Sequence, residues 1–522
     1  MPNKILYGQE ARDAAIRGLS KVASAVGSTL GPKASNVAIA KPFMNVEVTH
    51  DGVTVAKNII LEDPFEDVGA QLIREAAAKT NDVAGDGTTT ATVLAEAIVL
   101  EADKAIKSGS NAQVIKNGIE KASELILQEL KRMAKPVKTD EEAFQVATIS
   151  SSSEYLGQIV ADAIKKAGKD GVVTLNEVPT HDITIDHTQG LKFDQGYLSS
   201  YFITDDKNRA MVANPYVFIT DKAISQQSEI IPLLETLTKG LQSHDLLIIA
   251  DDIQGEALAT LVVNKMKGVL NVVAVKAPAF GMRRKQMLED IAILTGATVL
   301  SEDTGRAITT LTQEDLGKCE RVEVEKDSTL IVNGKGDYSK LEARIKVIRN
   351  ELEAAENEFD KDVVRQRLAK LTSGVVVINV GGYTEVERKQ RQYRIEDAVN
   401  ATQCAIEEGI VAGGETALMK ASRVLSDEVT DGGKVLFKAL KAPFLKLLDN
   451  AGIDDGELIA KGLKSQVNMG IDVMKGEIVD LLKEGVIDPV KVSRSALMNA
   501  VSVACEILTT NCLVVEGEKK DA

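Results

Sequence analysis

The spacing of apolar residues changes twice along this chain, and those two changes bound what it can fold into. Near the start, Ala15, Leu19, Val22 and Val26 recur at helical spacing. Phe65, Val68, Leu72 and Ala76 do the same after Pro64, which suits a first helical turn. Residues 88–106 and 113–133 continue as two further helices, and Pro136 interrupts the pattern. Residues 171–175, 181–187 and 216–220 then read as strands. From residue 190, short apolar strands alternate with helices: 246–250 before a helix at 256–267, and 271–275 before one at 287–295. That alternation predicts an α/β unit with a parallel core. Leu341, Ile345, Ile348, Leu352, Ala355, Phe359, Val364, Leu368 and Leu371 predict two charged amphipathic helices folded as a hairpin, with the break near Asp360. Residues 374–381 form a buried strand run, after which the text is helical to Thr510. An α/β middle between helical ends predicts a nested insertion, with both termini building one domain.

Composition narrows the function classes. The formal charge of −15 repels phosphate backbones, so nucleic acid is not an expected partner. An aromatic content of 3% with no Trp leaves few stacking platforms for bases. Cys319, Cys404, Cys505 and Cys512 form no CxxC pair and are expected to be small buried thiols. His50, His181, His187 and His244 lack metal-ligand spacing, which excludes zinc chemistry. No apolar run reaches the roughly 18–20 residues that span a bilayer. The start, Met1-Pro2-Asn3-Lys4, has no secretory character, so a cytoplasmic protein without membrane contact is expected.

One motif carries phosphate chemistry. Gly85-Asp86-Gly87-Thr88-Thr89-Thr90 opens a helix. Its glycines allow close backbone approach, and the free N–H groups of a helix start favour an anion. An acid in that turn suits phosphate when a divalent metal bridges the two. The same text also fits a Thr-capped helix start after a turn. Thr29-Leu30-Gly31-Pro32-Lys33, Thr49-His50-Asp51-Gly52 and Ala412-Gly413-Gly414-Glu415 add three more turns of similar character. None of these is a Walker or Rossmann fingerprint placed after a strand.

These stretches, with Gly196-Tyr197-Leu198-Ser199-Ser200-Tyr201-Phe202, Gly255-Glu256-Ala257-Leu258, Val275-Lys276-Ala277-Pro278, Glu407-Glu408-Gly409-Ile410 and Asp488-Pro489-Val490-Lys491, resemble the group I chaperonins of the GroEL type over essentially the whole chain. The resemblance implies a multidomain α and α/β protein. Residues 1–132 and 408–522 would form an equatorial ATPase domain. Residues 133–188 and 374–407 would form an intermediate domain, and 189–373 an apical polypeptide-binding domain. It implies ATP and Mg²⁺ as cofactors, with K⁺ near Thr29 and Thr89. The implied nucleotide contacts are Thr29, Leu30, Gly31, Pro32, His50, Asp86, Gly87, Thr88, Thr89, Thr90, Gly414, Asp472, Val473, Met474 and Asp488. Asp86 would hold the metal, and Asp51 and Asp397 would serve hydrolysis. Non-native polypeptide would bind Tyr197, Tyr201, Phe202, Ile231, Leu234, Leu258, Val262 and Val263. Pro136 and Gly409 would form a lower hinge, and Gly190 and Gly374 an upper one. Two stacked seven-membered rings and a lid co-chaperonin are the implied partners.

The sequence departs from that pattern in places. His50 stands where Lys is usual, Ala34 for Gly, and Glu415 for a third glycine. Ile471-Asp472-Val473-Met474 replaces Tyr-Asn-Ala-Ala, and an ionised Asp cannot donate a hydrogen bond as Asn does. The ending Gly517-Glu518-Lys519-Lys520-Asp521-Ala522 lacks Gly-Gly-Met repeats. Three function classes remain: an ATP-driven folding machine, an ATP-dependent small-molecule phosphotransferase with the same phosphate site, and a pure binding scaffold, which detectable ATP turnover would exclude. The sequence offers no second constellation for a small acceptor, which favours the machine.

Overall fold

The computed structural model describes residues 3–516 apart from 41–45, 169–170, 206, 242, 302–304, 307, 355–357, 373 and 429. The chain divides into two compact units, Met1–Asp162 with Gly382–Ala522, and Ala163–Gly381. The second is a continuous insertion in the first, as the spacing change predicts.

The first unit is mainly helical. Helix Gly8–Gly27 buries Ala15, Leu19, Val22 and Val26. Helix Pro64–Ala84 starts on Pro64 behind an Asp63 cap and ends at Gly85, which takes a left-handed φ of 65°. Helices Thr88–Lys107 and Ala112–Met133 follow, the latter capped by the Asn111 carboxamide on the Gln113 and Val114 N–H groups. The first two helices cross backbone to backbone. A Cβ at Gly18 would fall inside the Glu66 carbonyl, and one at Gly69 inside that of Ala15, so only glycine permits the approach. Helix Val490–Thr509 packs on helices Pro64–Ala84, Thr88–Lys107 and Ala112–Met133, closing a core that includes Leu19, Ile73, Leu94, Ile119 and Leu497. Strand Asn3–Tyr7 pairs antiparallel with Cys512–Glu516, so segments from opposite ends of the sequence meet.

The region after residue 381 is not helical throughout. Strand Ile410–Ala412 pairs with Ile487–Pro489, and Met469–Asp472 with Glu477–Asp480. Cys319, Cys404 and Cys505 are buried, and burial pushes their thiols up to about 12, 11 and 11. Cys512 is exposed, against expectation.

The second unit holds an eight-stranded sheet among the described residues. Asn271–Lys276, Asp245–Ala250 and Tyr216–Thr220 run parallel, in the register Val273, Leu247, Val217. Gly317–Val324, Thr329–Gly334 and Gly190–Phe193 continue the sheet antiparallel. The expected parallel core is therefore only half of it. The reason is local: four residues between Val324 and Thr329 suffice for a hairpin but not for a parallel crossover. A separate sheet pairs Val375–Val380 parallel with Val172–Glu177 and antiparallel with Thr184–Thr188. The helix expected at 287–295 begins earlier, at Gly281. In the helical hairpin, Tyr338–Ala354 and Glu358–Thr372, Asp360 lies inside the second helix, and Ala355 falls outside the described residues. No helix among the described residues is long and apolar enough to cross a membrane.

The expected hinge residues come together in pairs. A Cβ on Gly409 (φ 89°) would lie 2.7 Å from the Lys135 carbonyl and 3.5 Å from Pro136 Cα. Lys135 and Ile410 also exchange two backbone hydrogen bonds of 2.8 Å. Gly374 (φ 66°) touches Thr188 and His187, and Gly190 touches Val375. Gly190 itself lies in an ordinary strand, not in the left-handed region, so crowding rather than dihedral freedom calls for glycine there. A Cβ there would overlap Val375 Cγ2 and lie 2.6 Å from the Ile331 carbonyl. Gly190→Val is therefore expected to lower stability by about 1–3 kcal/mol, as overpacking does, measured by urea unfolding. Parent-like stability would restore a purely conformational role.

Candidate functional site

The start of helix Thr88–Lys107 gathers most of the predicted polar residues. Gly87 caps it at φ 80° and offers no side-chain acceptor to the first-turn N–H groups. Thr29, buried at the end of the first helix, returns its hydroxyl to the Val26 carbonyl (2.8 Å) and lies 3.2 Å from the Thr89 hydroxyl. The Asn450 carboxamide donates to the Gly27 and Leu30 carbonyls, both at 2.9 Å, pinning the Leu30-Gly31-Pro32 turn. Gly31, at φ 91°, leaves no room for a side chain against Leu447.

Asp86 lies in the turn before this helix. Its carboxylate accepts from the Gly87 N–H (2.6 Å) and from the Ser150 hydroxyl (3.3 Å). Glu415 and Asp488 face it. Thr90 donates its hydroxyl to Glu415, and a Cβ on Gly413 would lie 3.0 Å from Asp488 Oδ1. All three residues keep some accessible surface, but their carboxyls are enclosed by protein. That enclosure is the main cause that raises Asp86 and pushes Glu415 up to about 8 and Asp488 up to about 7. Mutual repulsion adds to it: Asp488 and Asp86 act on Glu415, Asp86 acts on Asp488, and Asp51 acts on Asp86. Glu415 also takes φ 58°, beside Gly414 at 62°. For a residue with a Cβ this costs on the order of 1–2 kcal/mol.

Asp51 plays a more committed part than its motif implied. It caps helix Gly52–Asn58, accepting from the Val53 and Thr54 N–H groups at 3.2 and 3.1 Å and from the Thr54 hydroxyl at 2.6 Å. A Cβ on Gly52 would lie 3.0 Å from the Thr88 hydroxyl and overlap that of Thr89, so this turn closes on the phosphate-type turn. Burial of its ring, then the Arg394 charge, lowers the His50 imidazole from its ordinary value. Asp397 is half-buried in helix Glu385–Glu408. Asn400, on the same face three residues on, fills the space beside Gly85. Helix and acidic cluster are thereby neighbours.

The stretch Asp472-Val473-Met474 contributes differently from expectation. The Asp472 carboxylate closes its own hairpin turn, accepting from the Met474 and Lys475 N–H groups at 2.9 and 3.3 Å. Val473 joins Leu30, Ile471 and Leu447 in an apolar cluster, and Met474 is exposed. Apolar contact is what this stretch can offer. Ser150, Asn400 and Asn450 were not singled out in the sequence; each is one polar residue without a motif around it.

No three His, Cys, Asp or Glu among the described residues form a protein-only metal cage. Mg²⁺ does not need one, because it typically takes one or two carboxylates plus phosphate oxygens and waters. Asp86 is an enclosed carboxyl whose charge raises Glu415 and Asp488 beside it, and a divalent cation bound to Asp86 would relieve that repulsion. The residues fit the group.

In the second unit, Tyr201, Ile231 and Val263 are exposed at 61%, 41% and 46%. Tyr197, Leu234, Leu258 and Val262 are half-buried against the unit's core. Phe202 is fully buried and cannot offer a surface, because successive residues of the short 3₁₀ turn Ser200–Phe202 lie about 120° apart and the turn takes Phe202 inward while Tyr201 faces out. Met266 (67%) and Val269 (48%) extend the exposed apolar surface beyond Val263, and were missed.

A model of the TCP-1/cpn60 chaperonin family matches residues 22–236 and 232–518. Two crystal structures of the chaperonin gp146 from the bacteriophage EL 2 (Pseudomonas aeruginosa), both obtained in the presence of ATP-BeFx, resemble this chain at TM-scores of 0.70 and 0.64. Each is 24% identical and is matched over 98% of this chain and 99% of its own. At that identity the likeness bears on the fold.

Proposed function

Because the chain belongs to the TCP-1/cpn60 chaperonin family, we propose that it is an ATP-driven chaperone whose nucleotide site is the acidic, threonine-lined start of helix Thr88–Lys107. The observation that carries this reading is the convergence of Thr29, Thr89, Asp86, Glu415 and Asp488 from four separated stretches of sequence. Free N–H groups of the first helical turn and the threonine hydroxyls bind phosphate oxygens. Asp86 would hold Mg²⁺, which would supply positive charge to offset that of the phosphate. The Leu30 and Val473 side chains line the apolar end against the base. Asp397 accepts a proton from the attacking water, and its place on a helix that leads to Gly409 lets domain movement bring it in and out. Asp51 holds its own helix start in position against the threonines.

In this reading residues 133–188 and 374–407 act as an intermediate domain turning on the Pro136–Gly409 and Gly190–Gly374 pairs. Residues 189–373 capture non-native polypeptide. Two stacked seven-membered rings, a lid co-chaperonin, a K⁺ ion near Thr29 and Thr89, and a cytoplasmic location complete it. Electron microscopy of the protein with and without Mg·ATP, alongside phosphate release, tests the whole. A monomer or dimer without turnover counts against it.

The capture surface has its own test. Val263 is exposed, so Val263→Ser is expected to leave stability within about 0.5 kcal/mol. It is also expected to weaken capture of a denatured client, because burying apolar surface is worth roughly 25 cal/mol per Å², while ATP turnover stays as in the parent. Light scattering during client dilution measures it, and undiminished capture moves the surface elsewhere. Leu234→Glu is a poorer probe, since half-buried Leu234 also packs on the core.

A further inference from the structure

We propose that Glu415 is a built-in occupant of the phosphate cradle: its carboxyl takes the Thr90 hydroxyl in the resting protein and must release it before nucleotide phosphate can bind there. The inference rests on the nucleotide reading above and deepens it to affinity control. Thr90 is the third residue of its helix, so its hydroxyl stands with the open first-turn N–H groups. A carboxyl oxygen on that hydroxyl occupies a position a phosphate oxygen would take.

Two further observations point the same way. Glu415 holds a left-handed backbone directly after Gly413 and Gly414, a conformation that glycine adopts freely and glutamate does not. Local backbone preference therefore does not account for a side chain here. Electrostatic attraction does not account for it either, because the charged groups that act on Glu415 are two acids, Asp488 and Asp86. What the side chain does gain is the Thr90 hydroxyl, 325 residues away in sequence. Rotation about its own χ angles would free the cradle without moving the backbone.

Titration calorimetry of the full chain with the magnesium complex of AMP-PNP, at fixed pH, tests the proposal in the parent, Glu415→Gly and Glu415→Gln. Glu415→Gly is expected to bind about fivefold more tightly, the worth of one hydrogen bond no longer broken. Glu415→Gln keeps an amide oxygen that accepts from Thr90, and should stay within about twofold of the parent. Steady-state KM should split alike, falling in Glu415→Gly and staying near the parent in Glu415→Gln. Glu415→Gly no tighter than the parent overturns the proposal. So does Glu415→Gln as tight as Glu415→Gly, which would assign the effect to charge. A parent that does not bind the nucleotide strikes the nucleotide reading itself, whereas a parent that binds beside unaltered variants strikes only the role of Glu415.

Discussion

Asp86→Ala is expected to lose Mg²⁺-dependent ATP turnover by roughly 10³-fold or more, since a metal at the transferring phosphate supplies several kcal/mol of charge stabilisation. The same variant should melt no lower than the parent. Asp86 is an enclosed acid whose charge opposes those of Glu415 and Asp488, and its removal relieves them. Turnover therefore separates from stability. Phosphate release and a thermal melt on one preparation measure both, and turnover within tenfold of the parent would remove the phosphate site from this turn.

Asp397→Ala should behave differently. Nucleotide affinity is expected to persist while turnover slows by about 10²–10⁴-fold, the usual worth of a positioned general base. Calorimetry and single-turnover rates on the same variant give the two numbers. A rate within threefold of the parent would assign water activation to another group, with Asp51 next. For Asp51 the proper variant is Asn rather than Ala. Its carboxylate caps a helix, and losing the cap alone costs about 1 kcal/mol, whereas Asn caps nearly as well.

The helices of the first unit were legible because of their apolar spacing, which in one case coincided with a start signal, Pro64; the Asn111 cap was not read. The nested insertion followed from where that spacing stops and resumes. Sheet direction was not legible beyond the alternating segments, since a strand of given pattern accepts either neighbour. The strands between Ile410 and Pro489 have three or four residues, too few to show a period of two. Within the site, Gly85 to Thr90 announced itself through residue chemistry. Glu415 was read only as the end of a glycine turn, Asp488 entered only through a resemblance, and their closeness to Asp86 is a tertiary fact. Asp51 was read as a turn acid, and only the structure gives it a helix to cap. Phe202 misled because an aromatic beside Tyr201 looks like one surface until the turn sends the two rings apart.

The closing of the first unit by helix Val490–Thr509 has a consequence for synthesis on the ribosome. About 380 residues separate Lys107 from Val490, on the order of 20–80 s of elongation. Through that interval Ile73, Leu94 and Ile98 lack the helix that completes their core. Ala163–Gly381 is contiguous and needs nothing translated later to finish its sheets. The inserted unit is thus the first part of the nascent chain able to mature, while the surrounding one waits with apolar helix faces open. Until that helix is made, the apolar faces of the first unit are the kind of surface that this protein is proposed to capture in others.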